Sequence, residues 1–164
     1  MNLLTVNNSI FKSNYAYSFN YTHPKPENKV IARGRAVFGE DNSTIDNSIF
    51  ENNYVNGSPN SDSDKLLEVE GGSIYCGGNL KVNNSIFNNN SGKGANTIIQ
   101  YSVYLNEKMV LNNCIFTNNT ATNDVIEANG ATITNCIFEN NTSLENGSVL
   151  CNEYCDKEFY IKNS

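Results

Sequence analysis

The sequence predicts an all-β fold, a right-handed parallel β-helix of about five to six coils. Three observations carry this: one four-residue phrase recurs five times, each copy is followed at a fixed distance by asparagine, and no stretch has helical periodicity. The copies are Asn8-Ser9-Ile10-Phe11, Asn47-Ser48-Ile49-Phe50, Asn84-Ser85-Ile86-Phe87, Asn113-Cys114-Ile115-Phe116 and Asn135-Cys136-Ile137-Phe138. Three residues after each phenylalanine stands Asn14, Asn53, Asn90, Asn119 or Asn141. Ahead of each phrase lie β-branched or aliphatic residues, namely Val6, Ile45, Val82, Val110 with Leu111, and Ile133. The repeating unit is therefore strand, asparagine turn, strand, asparagine turn. With 32 asparagines and 11 glycines the chain is poor in helix formers, which excludes helical solenoids.

A second, weaker phrase supplies a further strand per coil. Its copies are Gly34-Arg35-Ala36-Val37-Phe38, Gly71-Gly72-Ser73-Ile74-Tyr75, Ser102-Val103-Tyr104-Leu105, Val125-Ile126-Glu127-Ala128 and Asn146-Gly147-Ser148-Val149-Leu150. Successive phenylalanines at 11, 50, 87, 116 and 138 are separated by 39, 37, 29 and 22 residues. A constant motif with a variable period means loops on a fixed frame. The insertions are expected at one place in each coil, between an asparagine turn and the next strand, near residues 15–30, 54–66 and 91–97. Turn formers crowd them, as in Thr22-His23-Pro24-Lys25-Pro26-Glu27-Asn28 and the run from Asn56 to Asp64. Such segments belong on the surface.

Stacking explains the asparagines. A coil of about 22 residues cannot bury its apolar face alone, but coils stacked at the ~4.8 Å strand spacing pair their backbone groups with the coils on either side, and like residues then stack. An inward-facing polar side chain at a sharp turn needs a partner there. Asparagine offers both donor and acceptor to its copies and tolerates left-handed backbone angles. Asn8, Asn47, Asn84, Asn113 and Asn135 are thus expected to form the ladder. Alternation beyond that turn sends the serine or cysteine and the phenylalanine inward and the isoleucine outward. Phe11, Phe50, Phe87, Phe116 and Phe138 are the expected core stack. Ile10, Ile49, Ile86, Ile115 and Ile137 form an outward stripe, read as β-propensity with lateral contact or as a partner-binding face.

The length of 164 residues suits one continuous core, taken as a single β-helix segment over residues 1–164. Net charge is −6 with only 11 lysines and arginines, and no basic stripe exists for a phosphate backbone, so nucleic acid is discounted. No apolar run approaches the ~20 residues of a membrane span. The first residues lack the charged and apolar regions of a signal peptide, and the motif already runs at Val6 to Phe11 and again at Ile161 to Ser164. A fragment of a longer surface protein is expected, with signal and anchor outside it.

The recurring F-x-x-N motif, together with Gly71-Gly72-Ser73-Ile74, resembles the paired motifs of chlamydial polymorphic outer membrane proteins. The asparagine-rich phrase N-N-S-I-F-x-N-N, as in Asn83 to Asn90, is similar to repeats in adhesin-like surface proteins of methanogenic archaea. The resemblance runs over nearly the whole chain. It implies an exported β-helix used in adhesion at the cell surface, and carries over no catalytic residues.

Chemistry from the rival class, cleavage of acidic polysaccharides, needs clustered carboxylates for calcium, a basic proton acceptor, or acids facing one groove. Asp41, Asp46, Glu68 and Glu70 come nearest, with Arg33 and Arg35 about a coil away, and are read as solvated turn charges. His23 is the sole histidine and sits in a loop, so neither catalysis nor a zinc site is expected of it. The five cysteines lack metal-ligand spacing. Cys114 and Cys136 share a register, giving either stacked free thiols or a disulfide, and Cys151 with Cys155 are a second candidate bridge. Sequons such as Asn20-Tyr21-Thr22, Asn42-Ser43-Thr44, Asn56-Gly57-Ser58 and Asn146-Gly147-Ser148 follow from composition. Tyr15, Tyr17, Tyr21, Tyr101 and Tyr104 are read as lateral packing or sugar-stacking surfaces.

No catalytic, cofactor-binding or metal-binding residues are therefore assigned. The expected function is a non-catalytic scaffold whose loops contact a host or microbial cell or a glycan. A polysaccharide lyase or hydrolase and a passive cell-wall spacer are the alternatives. The open strand edges at either end of the coil stack predict end-to-end self-association of the isolated segment.

Overall fold

The computed structural model describes residues 3–18, 30–33, 36–39, 41–57, 67–70, 72–93, 98–100, 108–144, 147–152 and 158–164. Among them every regular element is a strand, and every strand pairing is parallel. The chain is a right-handed parallel β-helix. Each coil visits four sheets in turn, and each sheet collects one strand per coil.

The leading sheet has six strands, Leu4–Asn7, Ser43–Asp46, Leu80–Asn83, Met109–Asn112, Ala131–Thr134 and Phe159–Lys162. The phenylalanine sheet holds Ile10–Lys12, Ile49–Glu51, Ile86–Asn88, Ile115–Thr117 and Ile137–Glu139. The return sheet follows, with Tyr15–Ser18, Tyr54–Gly57, Ser91–Lys93, Thr120–Ala121 and Thr142–Ser143. The closing sheet, Val37–Gly39, Ile74–Cys76, Ile98–Gln100, Ile126–Ala128 and Leu150–Asn152, completes each coil. Strands alternate side chains across the sheet, so the leading strands send Val6, Ile45, Val82, Leu111 and Ile133 inward, the last four of them buried. Register is strict: Ile45 pairs with Val6 and Val82, and Leu111 with Val82 and Ile133.

Two single-residue corners make the coil. The first is Asn8, Asn47, Asn84, Asn113 or Asn135, at φ of 50, 46, 49, 54 and 53°. The second, two residues past the phenylalanine, is Ser13, Asn52, Asn89, Asn118 or Asn140, at φ of 55, 56, 53, 56 and 53°. A left-handed residue between two strands turns the chain sharply within one position, and asparagine adopts that conformation more readily than most side chains.

The ladder divides between these corners in a way that corrects the sequence reading. Asn8, Asn47, Asn84, Asn113 and Asn135 take the left-handed angles but stand exposed at the surface, not inward. The inward rungs are the residues following the second corner. Asn53, Asn90 and Asn119 are fully buried, and Asn14 and Asn141 are half-buried at the two ends. In each rung the Oδ1 accepts both the backbone N–H and the Nδ2–H of the preceding rung, at 3.0 and 2.9 Å from Asn53 to Asn90 and 3.0 and 3.0 Å from Asn90 to Asn119. The remaining amide hydrogen goes to a phenylalanine carbonyl of the preceding coil, Asn90 to Phe50 at 2.9 Å and Asn119 to Phe87 at 2.9 Å. The physical reason is parity: the left-handed corner itself points outward, so the next side chain falls into the core.

The insertions also differ from expectation. Residues 15–18, 54–57 and 91–93 are return strands, so the variable segments begin only after them. They also occur at two places. One lies between return and closing strands, where Val30–Arg33 and Leu67–Glu70 pair as an added two-stranded ribbon. The other lies between closing and leading strands, as over 101–107. Both junctions accept any length that returns in register, because loop-closure entropy grows slowly with length. The third closing strand is Ile98–Gln100, in register with Ile74 and Ile126, and the expected strand from Ser102 to Leu105 lies outside the described residues. So do the loop from Thr22 to Asn28, most of that from Asn56 to Asp64, and His23, Arg35, Tyr21, Tyr101, Tyr104 and Cys155.

The two asparagine classes give opposite expected responses to glycine. Asn84→Gly keeps the left-handed angle and should cost about 1 kcal/mol or less. Asn90→Gly strips two buried donors of their acceptor, at roughly 1–3 kcal/mol each. Urea unfolding midpoints of the two variants are expected to separate them, with Asn90→Gly several-fold more damaging.

Candidate functional site

Inside the helix the phenylalanine strands stack ring on ring. Phe11, Phe50, Phe87, Phe116 and Phe138 form one column with centroid separations of 4.9, 4.7, 4.7 and 4.9 Å and interplanar angles of 9, 6, 5 and 4°. The spacing is set by the strand repeat, and parallel rings at that separation are offset, the favourable arrangement for like quadrupoles. Phe50, Phe87 and Phe116 are fully buried. The same register that stacks the rings aligns the residues before them on the outer surface.

On that outer surface lies the candidate binding face. Ile10, Ile49, Ile86, Ile115 and Ile137 occupy one register and form a continuous row, with Ile10 at 69%, Ile86 at 37% and Ile137 at 54% exposure and Ile49 and Ile115 half-buried. Two residues on, Lys12, Glu51, Asn88, Thr117 and Glu139 form a parallel polar row. Lys12 and Glu51 pair at 2.8 Å, and Thr117 Oγ1 donates to Asn88 at 3.1 Å.

Corner asparagines flank both rows. On one side Asn113 Nδ2 donates to Asn84 Oδ1 at 2.8 Å, Asn84 to Asp46 at 2.8 Å, and Asn163 to Asn135 at 3.3 Å. Asp46 interrupts that amide ladder and also accepts from Asn47 at 3.5 Å. On the other side Asn89 donates to Asn52 at 2.6 Å and Asn118 to Asn88 at 3.3 Å. The result is a flat strip, roughly 19 Å along the coil axis at four strand spacings, with an apolar row between fixed amides. Such amides present donors and acceptors at a regular interval.

Other sequence candidates do not join it. Asp41 and Asp46 stand at opposite ends of the strand Ser43–Asp46, and Glu68 and Glu70 lie on the added ribbon, paired through the backbone with Ile31 and Arg33. Among the described residues no three of His, Cys, Asp and Glu stand together to hold a metal ion. Tyr15 and Tyr54 meet edge to face, centroids 6.2 Å apart, on the outer side of the return sheet, and Phe38 stacks on Tyr75 at 5.3 Å on the closing sheet. The signal for the amide rows was present in the sequence at two residues past each phenylalanine. There serine replaces asparagine once, at Ser13, as an outward position tolerates.

Comparison with protein-family models, with curated proteins and with solved structures gives no match. Among the described residues no helix is long and apolar enough to cross a membrane.

Adjacent residues on one strand should respond oppositely. Phe87→Ala opens a cavity between two rings and is expected to cost about 3–5 kcal/mol, whereas Ile86→Thr on the outer side should stay within about 1 kcal/mol. Thermal and urea denaturation of the pair would check that the isoleucine row is dispensable for folding.

Proposed function

We propose that this β-helix is a non-catalytic binding scaffold at a cell surface, recognising glycans or the glycan-rich surface of another cell. The observation that carries the reading is the outer strip of the phenylalanine sheet. A partly exposed apolar row between two lines of hydrogen-bonded amides offers a sugar chain both of the contacts it can make: the isoleucines meet its C–H faces, and the amides meet its hydroxyls. The amides are already held by their neighbours, so little side-chain entropy is lost on binding. The resemblance to chlamydial and archaeal adhesin-like repeats supports export and adhesion.

The test is a glycan array and whole-cell binding assay with wild-type protein and an Ile86→Lys/Ile137→Lys variant, both sites being exposed. Saturable wild-type binding, reduced at least tenfold in the variant with an unchanged melting temperature, is the expected result. Wild-type binding that the variant retains would place recognition elsewhere on the molecule. No binding to any surface would leave a spacer role, and release of unsaturated or reducing sugar ends would make the protein an enzyme.

A further inference from the structure

The residue after the first corner forms a third internal ladder. It is Ser9, Ser48, Ser85, Cys114, Cys136 and Ser164 in successive coils. In the serine rungs the hydroxyl donates to the carbonyl two residues back, at 2.9 Å from Ser9 to Asn7, 2.8 Å from Ser48 to Asp46 and 2.7 Å from Ser85 to Asn83. The same oxygen accepts the N–H of the preceding rung, Ser9 to Ser48 at 3.3 Å and Ser48 to Ser85 at 3.2 Å. The two thiols take over the donor half of this pattern, Cys114 to Asn112 and Cys136 to Thr134, each at 3.3 Å.

Sulfur is a poorer donor and acceptor than a hydroxyl, so the ladder itself gives no reason for cysteine at these rungs. What the exchange does accomplish is to set two thiols face to face. The flanking pairs Asn112 with Thr134 and Ile115 with Ile137 fix the register, so Cys114 and Cys136 are neighbours across one strand spacing, with Cα atoms about 5 Å apart. That separation lies inside the range of disulfides. Both are buried and free. Cys76 and Cys151, the other described cysteines, lie on the closing sheet.

We propose that Cys114 and Cys136 are a cross-linking site, at which a small-molecule disulfide of the glutathione class forms one intercoil disulfide that ties the fourth coil to the fifth. The neighbouring Cys114 thiol holds the Cys136 thiol down at about 7, while that same proximity and burial push Cys114 up. Cys136 is therefore the attacking thiolate. Cys136 sulfur attacks one sulfur of the reagent and expels a small thiolate. Cys114 sulfur then loses its proton to solvent and attacks the mixed disulfide, expelling the second small thiolate. Two protein thiols give up two protons and two electrons, and the reagent takes up both electrons.

The experiment equilibrates the whole chain with oxidised glutathione, then reads intact mass, the linked peptide after cleavage at glutamate, and thermal unfolding. The expected product is about 2 Da lighter, yields one peptide pair joining Cys114 to Cys136, and melts about 5–10 °C higher than the reduced protein, the shift for closing a loop of this length. Cys114→Ser and Cys136→Ser each restore the hydroxyl found at the other rungs, so they should fold as the reduced wild type does and lose both the link and the shift. Two thiols that remain alkylatable after equilibration would overturn the proposal. So would a stable mixed disulfide, a link through Cys76, Cys151 or Cys155, or an unchanged mass loss in the serine variants.

Discussion

Everything in this molecule depends on the buried amide rung after the second corner. A parallel coil must turn with its backbone groups inside the stack, where an unmet donor costs on the order of 1–3 kcal/mol. The rung residue meets that demand locally and vertically at once. Asn90 takes two hydrogens from Asn53 on its Oδ1, gives one to Asn119, and gives the other to the Phe50 carbonyl. No other short side chain has this donor and acceptor inventory in a planar group. Because each rung bonds to the coil on either side, register is fixed at the corner, and the phenylalanine three residues earlier is carried into contact with its own copies.

Stability consequently resides in interfaces between neighbouring coils, as in other linear repeat arrays. The fourth and fifth coils are joined with the shortest period, 22 residues from rung to rung, against 39 between the first and second. Longer periods leave the rungs unchanged: the hydrogen bond from Asn14 to Asn53 and that from Asn119 to Asn141 differ by 0.1 Å, at 2.8 and 2.9 Å. Insertions thus leave the geometry of the frame unchanged. Added structure, such as the ribbon of Val30–Arg33 and Leu67–Glu70, is placed where the frame does not need it.

Much of this was legible in the sequence. Five copies of a phrase at shifting intervals could only mean stacked coils with variable loops, and the phenylalanine column and the outward isoleucines follow from strand alternation. The identity of the inward asparagine was not legible from alternation, because a left-handed corner interrupts the count: Phe87 is inward, Asn89 outward, and Asn90 inward again. Two of three positions after the phenylalanine are asparagine in most coils, so composition offered no discrimination. Equally, the closing strand Ile98–Gln100 was not singled out, because short β-prone segments abound and only pairing with Ile74 and Ile126 selects it.

Interior rows have a reason to be uniform, since each rung or ring must match its neighbours. Outer rows do not, and most vary: the leading sheet presents Thr5, Thr44, Lys81, Val110, Thr132 and Tyr160 at one register, and the return sheet Tyr15, Tyr54, Ser91, Thr120 and Thr142. The isoleucine row is outer yet uniform in all five coils. β-propensity alone would be met as well by valine, threonine or tyrosine, as the other outer rows demonstrate. A large apolar side chain at each of the five coils, in the middle of a strip of ordered amides, is the physical ground on which the proposed binding face rests.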